Sequence, residues 1–567
     1  MRHLRPISGR RARLLLALAA SGAALRGAGA QPAASFPRTR AERTGYRETS
    51  SHADVLAFLD SLQRLGAPIR VGVMARSPAG REVPYVIAAR PLVTTPAEAR
   101  RTGRPVVYVQ GNIHAGEVEG KEALQALLRD LVASPRPNVL DSVVLVAVPI
   151  YNADGNEKLA PQARNRSEQN GPELVGERAN GQGLDLNRDY VKAEAPETRG
   201  ALALLTAWDP DVFVDLHTTD GSYHGYALTY SPPLGLADLP GLRAGAEYAR
   251  DSLLPELRRR VQRRHGFATF DYGNFPREFG TEANADTTRQ GWYTYDHRPR
   301  FGTNYVGLRG RIGILSEAYS HDPFERRVRA TDAFVRELLS LVAERGPRLV
   351  ARGRASDALL ARWGAGMSGA PALPIRFELT RTPYVGPVIA EDLARATPGG
   401  PAEPGVMAGY RRTGRFRTVR LPVYDRFTPT LRRALPRAWA LAAGDTAAVA
   451  TLRRHGVVVE RVTAAWLAAP VEAFAVDSVA VSPRQFQGHR EVRLGGRWRS
   501  DRRALPAGTY LVPADQPLGA LALWLLDPES DDGLATWNWF DGTATKGGEF
   551  PVLRVTGAVE AVRRAVE

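Results

Sequence analysis

Apolar and polar positions along residues 45–345 fall into blocks whose periods alternate between those of helix and strand. In "HADVLAFLDSLQRLG" (52–66) apolar side chains recur at spacings of three and four, which predicts an amphipathic helix. "IRVGVMAR" and "VPYVIAAR" read as strands joined by "SPAGRE", whose glycine suits a turn. "RPVVYVQG" (104–111) is a short apolar run of the kind buried inside a sheet, followed by a helical "EGKEALQALLRDLVAS" and a second buried run, "DSVVLVAVPI". "DVFVDLH" (211–217) and "GRIGILSEA" (310–318) are two more. Buried strands alternating with helices predict an α/β domain with a largely parallel or mixed sheet flanked by helices. A helix, "PFERRVRATDAFVRELLSLVAERG" (323–346), closes it.

Beyond it the pattern changes. "GRASDALLARWGAGMSGAPALP" drifts into small residues, so a linker is expected over 346–370 and a separate C-terminal module over 371–567. Strand-like stretches ("RFRTVRLPVYDRF", "VEAFAVDSVAV", "GTYLVPA") and one β–α–β piece, "AWALAAGDTAAVATLRRHGVVVERV", make that module a β-rich α+β unit. Its only histidines are His455 and His489, with no pairing of groups that suggests chemistry, so it reads as an accessory or packing module.

Composition changes the picture at the amino end. A basic opening, an apolar run from Leu14 to Leu25 and small residues at Ala28 and Ala30 predict a secretory signal peptide over 1–30, cleaved after Ala30. A Pro/Arg-rich linker is expected over 31–44. The apolar run is shorter than the roughly 18 residues of a membrane span, and nothing later reaches that length, so the mature chain is expected to have no transmembrane segment. Arg10-Arg11 leaves both general secretion and twin-arginine export open. The chain has no cysteine, so an exported protein of 567 residues is expected to rely on core packing and on any metal it holds. The formal charge of +16 does not predict a nucleic-acid partner: six arginines lie in the leader, only four lysines occur, and basic residues are interleaved with acids.

Candidate chemistry gathers at the ends of the buried runs, where open α/β sheets place their working residues. His114 and Glu117 stand three apart after "VVYVQG"; His217 ends "DVFVDLH", with His224 its competitor in the following loop. A hydrolytic zinc site takes three ligands from His and carboxylate and leaves a position for water. Glu317 is a charge at the end of a buried run, suited to be the non-ligand carboxylate that moves a proton. In "GLDLNRDY" (183–190), Asn187 and Arg188 form a fork that matches a carboxylate. Asp185 is placed to accept the second ring N–H of a metal-bound histidine.

The ordered set His-x-x-Glu, "NADG" (152–155), "LDLNR", a strand-end His and a strand-end Glu resembles the zinc carboxypeptidase family (carboxypeptidase A-like metallopeptidases). "GYRETSSHADVLAFLDSL" and "RVGVMARSPAGREVPYVIAA" look like that family's first helix and strands, and the resemblance spans residues 45–345. It implies one zinc ion per chain on His114, Glu117 and His217, with Glu317 as general base. It also implies that Asn187 and Arg188 grip a substrate's terminal carboxylate and that Asp185 supports the first zinc histidine. The family's oxyanion-stabilising arginine falls in "PQARNRSEQNG", as Arg164 or Arg166, with Arg164 preferred. A capping tyrosine is expected among Tyr293, Tyr295 and Tyr305, with Tyr295 and Tyr305 carried as substrate-binding candidates. The implied function is an exported zinc metallocarboxypeptidase acting on peptide or protein C-termini. Two rival readings are a murein-peptide amidase or other zinc amide deacylase, and a non-catalytic peptide-binding module.

Overall fold

The structure is a computed structural model that describes residues 36–235, 242–275, 291–398, 406 and 409–566. The expected signal peptide lies outside the described residues. Eight strands form the central sheet: β1 Ile69–Arg76, β2 Glu82–Ala88, β3 Val106–Gly111, β4 Val144–Val148, β5 Val212–Thr218, β6 Leu228–Ser231, β7 Thr269–Asp271 and β8 Ile312–Ala318. Their order is β1-β2-β4-β3-β5-β8-β6-β7. The centre (β4, β3, β5, β8) is parallel, while β1–β2, β2–β4 and β8–β6 pair antiparallel. This is the mixed α/β fold that the blocks of apolar sequence predict. The central strands are buried on both faces, so their side chains do not alternate with polar ones.

Helices α1 His52–Arg64, α2 Glu119–Ala133, α3 Pro196–Trp208, α4 Leu254–His265, α5 Gly302–Leu308 and α6 Phe324–Gly364 cover the sheet. α1 starts at a capping box in which the Ser51 hydroxyl accepts from the Asp54 amide and Asp54 accepts from that of Ser51. The turn between β1 and β2 has Gly80 at φ 81°. Around it, the Ser77 hydroxyl, the Ala79 amide and the Arg81 guanidinium all donate to Asp154 of "NADG" at 2.7–2.9 Å. The "SPAGR" and "NADG" segments are thus two halves of one anchor.

Two expected linkers take a different form. Within 31–44 the described part forms a helical turn, Arg40–Arg43, capped by Thr39 and tied to α2 by a Glu42–Arg129 ion pair at 2.6 Å. At the other end, α6 continues through 346–364 with Pro347 inside it. Leu349, Leu360 and Trp363 are buried along this extension, and their packing outweighs the helix-breaking tendency of proline.

The C-terminal region contains β9 Leu373–Thr380, β10 Val385–Arg395, β11 Tyr410–Tyr424, β12 Arg426–Arg433, β13 Ala438–Leu441, β14 Glu460–Val462, β15 Trp466–Val481, β16 Val492–Leu505, β17 Tyr510–Pro513, β18 Leu553–Val555 and β19 Arg563–Ala565. Seven of these form an antiparallel sheet ordered β16-β15-β18-β13-β17-β14-β19. The expected β–α–β piece is β13, a helix Thr446–Arg454 (α7) and β14. This sheet does not stand apart. Trp439, Trp524 and Trp537 share one apolar core with Tyr108, Trp208 and Tyr305 of the first lobe. Truncating one such buried tryptophan costs about 3–5 kcal/mol.

Candidate active site

β3 ends at Gly111, and the chain reverses through Asn112 at φ 64°, a left-handed conformation that asparagine tolerates. The Asn112 side-chain amide donates to the Ala115 carbonyl at 3.2 Å, and the Glu117 N–H donates to the His114 carbonyl at 3.0 Å. This tight turn, just before α2, places His114 and Glu117 on one side. β5 delivers His217 to the same point: one donor atom from each of His114, Glu117 and His217 lies within 4.8 Å of the others. Both histidines present Nδ1 to the Glu117 carboxylate, each at 2.9 Å.

The far ring nitrogen decides the tautomer of His114. His114 Nε2–H donates to Asp185 Oδ1 at 3.1 Å, and His217 Nε2 lies 3.1 Å from Asp215 Oδ2. With its Nε2–H so engaged, His114 leaves its Nδ1 lone pair for a metal; His217 Nε2 also meets the Asn187 side-chain NH2 at 3.3 Å, while its Nδ1 faces Glu117. Two imidazole nitrogens and one carboxylate, all buried and convergent, fit zinc with an open position. Burial alone would raise the Glu117 pKa, but His114, Arg166 and the histidine hydrogen bonds hold it well below the usual carboxylate range. Burial raises Asp185 too, and His114, Arg178 and Arg188 more than reverse that. Both carboxyls are therefore anionic, as a cation site needs.

Asp215, absent from the sequence-based set, is fully buried, and its Oδ1 accepts from the Gln110 amide at 3.0 Å. A signal for it exists in "DVFVDLH": two positions before His217 on a strand is the same face.

A cavity of about 80 Å³ adjoins the triad, and Glu317, Asn187, Arg188, Arg178, Tyr272 and Tyr295 line it. Glu317 is buried at the end of β8. Burial drives its pKa well above the ordinary value; Glu117 and Asp220 push the same way, while His217 and Arg166 oppose them. Asn187 and Arg188 sit on a 3-10 turn, Leu186–Arg188, whose start Asp185 caps by accepting the Asn187 N–H at 2.9 Å. The Asn187 carbonyl oxygen accepts the Gly302 amide at 2.9 Å, and its NH2 meets His217 Nε2 at 3.3 Å. Arg188 stacks over the Phe301 ring at 4.1 Å, and its nearest carboxylate oxygen among the described residues, on Asp185, is 3.9 Å away. Burial lowers its pKa; the guanidinium is desolvated and short of an anion.

The arginine and tyrosine expectations divide. Arg164 is exposed at the end of a short helix, Gln162–Asn165, and does not line the cavity. The helix ends at Asn165, and Arg166, its C-cap at φ −150°, is the one whose side chain points inward. Arg166 is buried, donating to Glu117 at 3.1 Å and to the carbonyls of Thr218 and Thr219. Those bonds commit it to Glu117 and the end of β5. Arg178 is the cavity's second arginine beside Arg188, braced by Asp185 at 2.9 Å. Sequence reasoning missed it because it lies in the loop "GERANGQG", with no periodicity to mark it.

Tyr295 lines the cavity, its hydroxyl donating to Asn304 at 3.2 Å. Tyr305 does not. It is fully buried in α5, where its hydroxyl meets His455 Nδ1 at 2.8 Å, so its place is the contact between lobes. Tyr293 stacks on Tyr424 at 4.4 Å, away from the cavity. Tyr272, which sequence reasoning did not consider, lines the cavity and donates to Asp220 at 3.2 Å. His224, the rival ligand, is packed 4.3 Å from the Tyr319 ring, and burial pushes its pKa down to about 3.

Residues 55–295 match the model of the zinc carboxypeptidase family. The chain is similar to carboxypeptidase 2 of Trichophyton tonsurans, 22% identical over 516 residues that cover 85% of this chain and 81% of that protein. It is also similar to carboxypeptidase 2 of Trichophyton rubrum, 22% identical over 511 residues, 85% and 81% of the two chains. An alignment of that span takes in much of the C-terminal lobe, beyond the 45–345 range of the sequence resemblance. Among solved structures, a metallo-carboxypeptidase from Burkholderia cenocepacia is similar over 52% of this chain and 70% of its own, at 17% identity and a TM-score of 0.38.

Proposed function

We propose, from the premise that this chain belongs to the zinc carboxypeptidase family through residues 55–295, that it hydrolyses the C-terminal peptide bond of peptides or proteins. Its class is that of a peptide hydrolase. The observation that carries the finer reading is Arg188: a half-buried guanidinium facing the cavity with, among the described residues, no carboxylate closer than 3.9 Å. A free C-terminal carboxylate would supply the missing anion through two parallel charge-assisted hydrogen bonds, with the Asn187 NH2 as a third donor.

His114, Glu117 and His217 would hold one zinc ion per chain. When bound, zinc supplies Lewis acidity, which polarises the scissile carbonyl and makes water acidic near neutral pH. The protein's own groups do the rest. Glu317 takes a proton from the attacking water and returns it to the leaving amine; its raised pKa suits both directions of transfer. Arg178, at the cavity wall beside Asp185, replaces Arg164 in the oxyanion role, since charge developing on the carbonyl oxygen needs a donor inside the cavity. Tyr295 and Tyr272 wall the cavity on the β6–β7 side and limit water.

The leader pattern over residues 1–30 supports export, which sequencing the amino terminus of extracellular or periplasmic material would check. Among the described residues no helix is long and apolar enough to cross a membrane. The decisive assay compares one peptide as its free acid and as its C-terminal amide, with and without chelator. Chelator-sensitive hydrolysis of the acid alone supports the proposal. Equal hydrolysis of both would favour the amide deacylase, and binding without hydrolysis would favour the peptide-binding module.

A further inference from the structure

The loop 482–491, between β15 and β16, carries a two-residue turn. The Phe486 and His489 backbones exchange hydrogen bonds at 2.7 and 3.0 Å across Gln487 and Gly488, whose φ angles are 52° and 82°. Positive φ at both central positions is the geometry that asparagine followed by glycine prefers; glutamine at the first is conformationally disfavoured. That strain coincides with a long-range contact. The Gln487 side-chain carbonyl accepts the Asp185 backbone N–H at 2.8 Å, across 302 residues of sequence.

The turn is held in place on both flanks. His489 bridges Glu194 at 2.8 Å and the Asn538 side chain at 2.9 Å. Arg300, paired with Asp532 and Glu491, lies over the Phe486 ring at 5.4 Å. Asp185 braces residues that line the cavity: its carboxylate meets His114 and Arg178 and caps the turn presenting Asn187 and Arg188.

We infer that the C-terminal lobe completes the active site through Gln487, a positioning residue that fixes the Asp185 backbone and, through it, the Asn187–Arg188 clamp. This deepens the carboxypeptidase reading and rests on it. The lobe is then part of the substrate site rather than a packing module alone.

The test uses Gln487→Asn and Gln487→Gly in the full chain. Both residues favour positive φ, so each variant should unfold at or above the wild-type temperature. Neither carries an acceptor that reaches Asp185. Expected is a loss of at least about fivefold in kcat/KM for free-acid peptides, mostly in KM, since a loosened clamp weakens ground-state and transition-state binding alike. Gln487→Glu, which keeps both reach and acceptor, should recover most of that loss. Deuterium exchange at the Asp185 amide, expected to quicken at least about tenfold in the Asn and Gly variants, reads the same contact without turnover. Unchanged exchange in both variants, or unchanged KM with turnover intact in wild type, overturns the inference. Wild type that fails to hydrolyse free-acid peptides would count against the carboxypeptidase reading, and the exchange result would still decide whether Gln487 holds Asp185.

Discussion

On neighbouring parallel strands, Glu317 of β8 stands in register with His217 of β5. Parallel pairing sets directly opposed residues about 5 Å apart with side chains on the same face. One register therefore places the Glu317 carboxylate beside His217, one member of the His114–Glu117–His217 cluster. A slip of one residue would turn Glu317 to the opposite face of the sheet.

This register predicts the behaviour of Glu317→Gln. The variant keeps shape and should retain zinc and bind free-acid peptides, while kcat falls at least about a hundredfold, as for a lost general acid–base. Near-normal turnover in this variant would place the base elsewhere.

Metal content follows from the triad. Purified protein should carry about one zinc per chain, and His114→Ala or His217→Ala should lose most of it. Asp215→Asn removes only the partner of His217 Nε2 and should weaken zinc binding by about 10–100-fold, as for other carboxylates behind ligating histidines. Metal analysis during dialysis against graded chelator separates these cases. Full retention in both alanine variants would refute the ligand assignment.

Arg188→Ala should lose at least about tenfold in kcat/KM for free-acid peptides, because hydrogen bonds to a charged group contribute about 1.5–3 kcal/mol each. Amidated peptides should be poor substrates of both forms and little changed. Arg188→Lys should recover only part, since an ammonium lacks the planar fork. Equal losses on acid and amide would remove the argument for terminal-carboxylate recognition.

Arg178 and Arg164 should separate cleanly. Arg178→Ala is expected to lower kcat by about 10²–10³, the range for a lost oxyanion donor, with Arg164→Ala near wild type. The reverse pattern would return the oxyanion role to the loop around Arg164.

A stability test comes from Glu197 at the start of α3. It is buried, its Oε2 accepts from Asn180 at 3.2 Å, and its Oε1 has no hydrogen-bond partner among the described residues. Burial, aided by Asp154 and Asp189, raises its pKa to about 7. The folded state then holds this proton more tightly than the unfolded chain does. Its contribution is intact below the ordinary carboxylate pKa of about 4.3 and is lost as pH rises to about 7. Glu197→Gln abolishes the titration, so its melting temperature relative to wild type should rise between pH 5 and pH 8. A difference that stays constant across that range would show that Glu197 does not titrate there.

Much of this protein is written locally. The two apolar periods determine the central sheet and its helices, since strands buried on both faces admit no other pattern. His114 and Glu117 are legible together because a three-residue spacing on a turn forces them to one side. His217 and Glu317 are legible because a charged or polar group ending an apolar run must face a cleft or a partner. Asn187 and Arg188 are adjacent, so their pairing is legible in sequence, while their orientation depends on Gly302, Phe301 and Asp185.

The remainder depends on distances that no local pattern encodes. Arg164, Arg166 and Arg178 carry the same long side chain on aperiodic loops, and only their packing shows which faces solvent, which holds Glu117 and which reaches the cavity. Tyr305 turns to His455 because α7 of the C-terminal lobe delivers that histidine, 150 residues later, to its hydroxyl. Pro347 marks a helix end by propensity, yet buried side chains on its far side keep α6 continuous. Gln487 reaches Asp185 only because β15 and β16 carry their turn to the catalytic lobe, and contacts so far apart in sequence exist only once both sheets have formed.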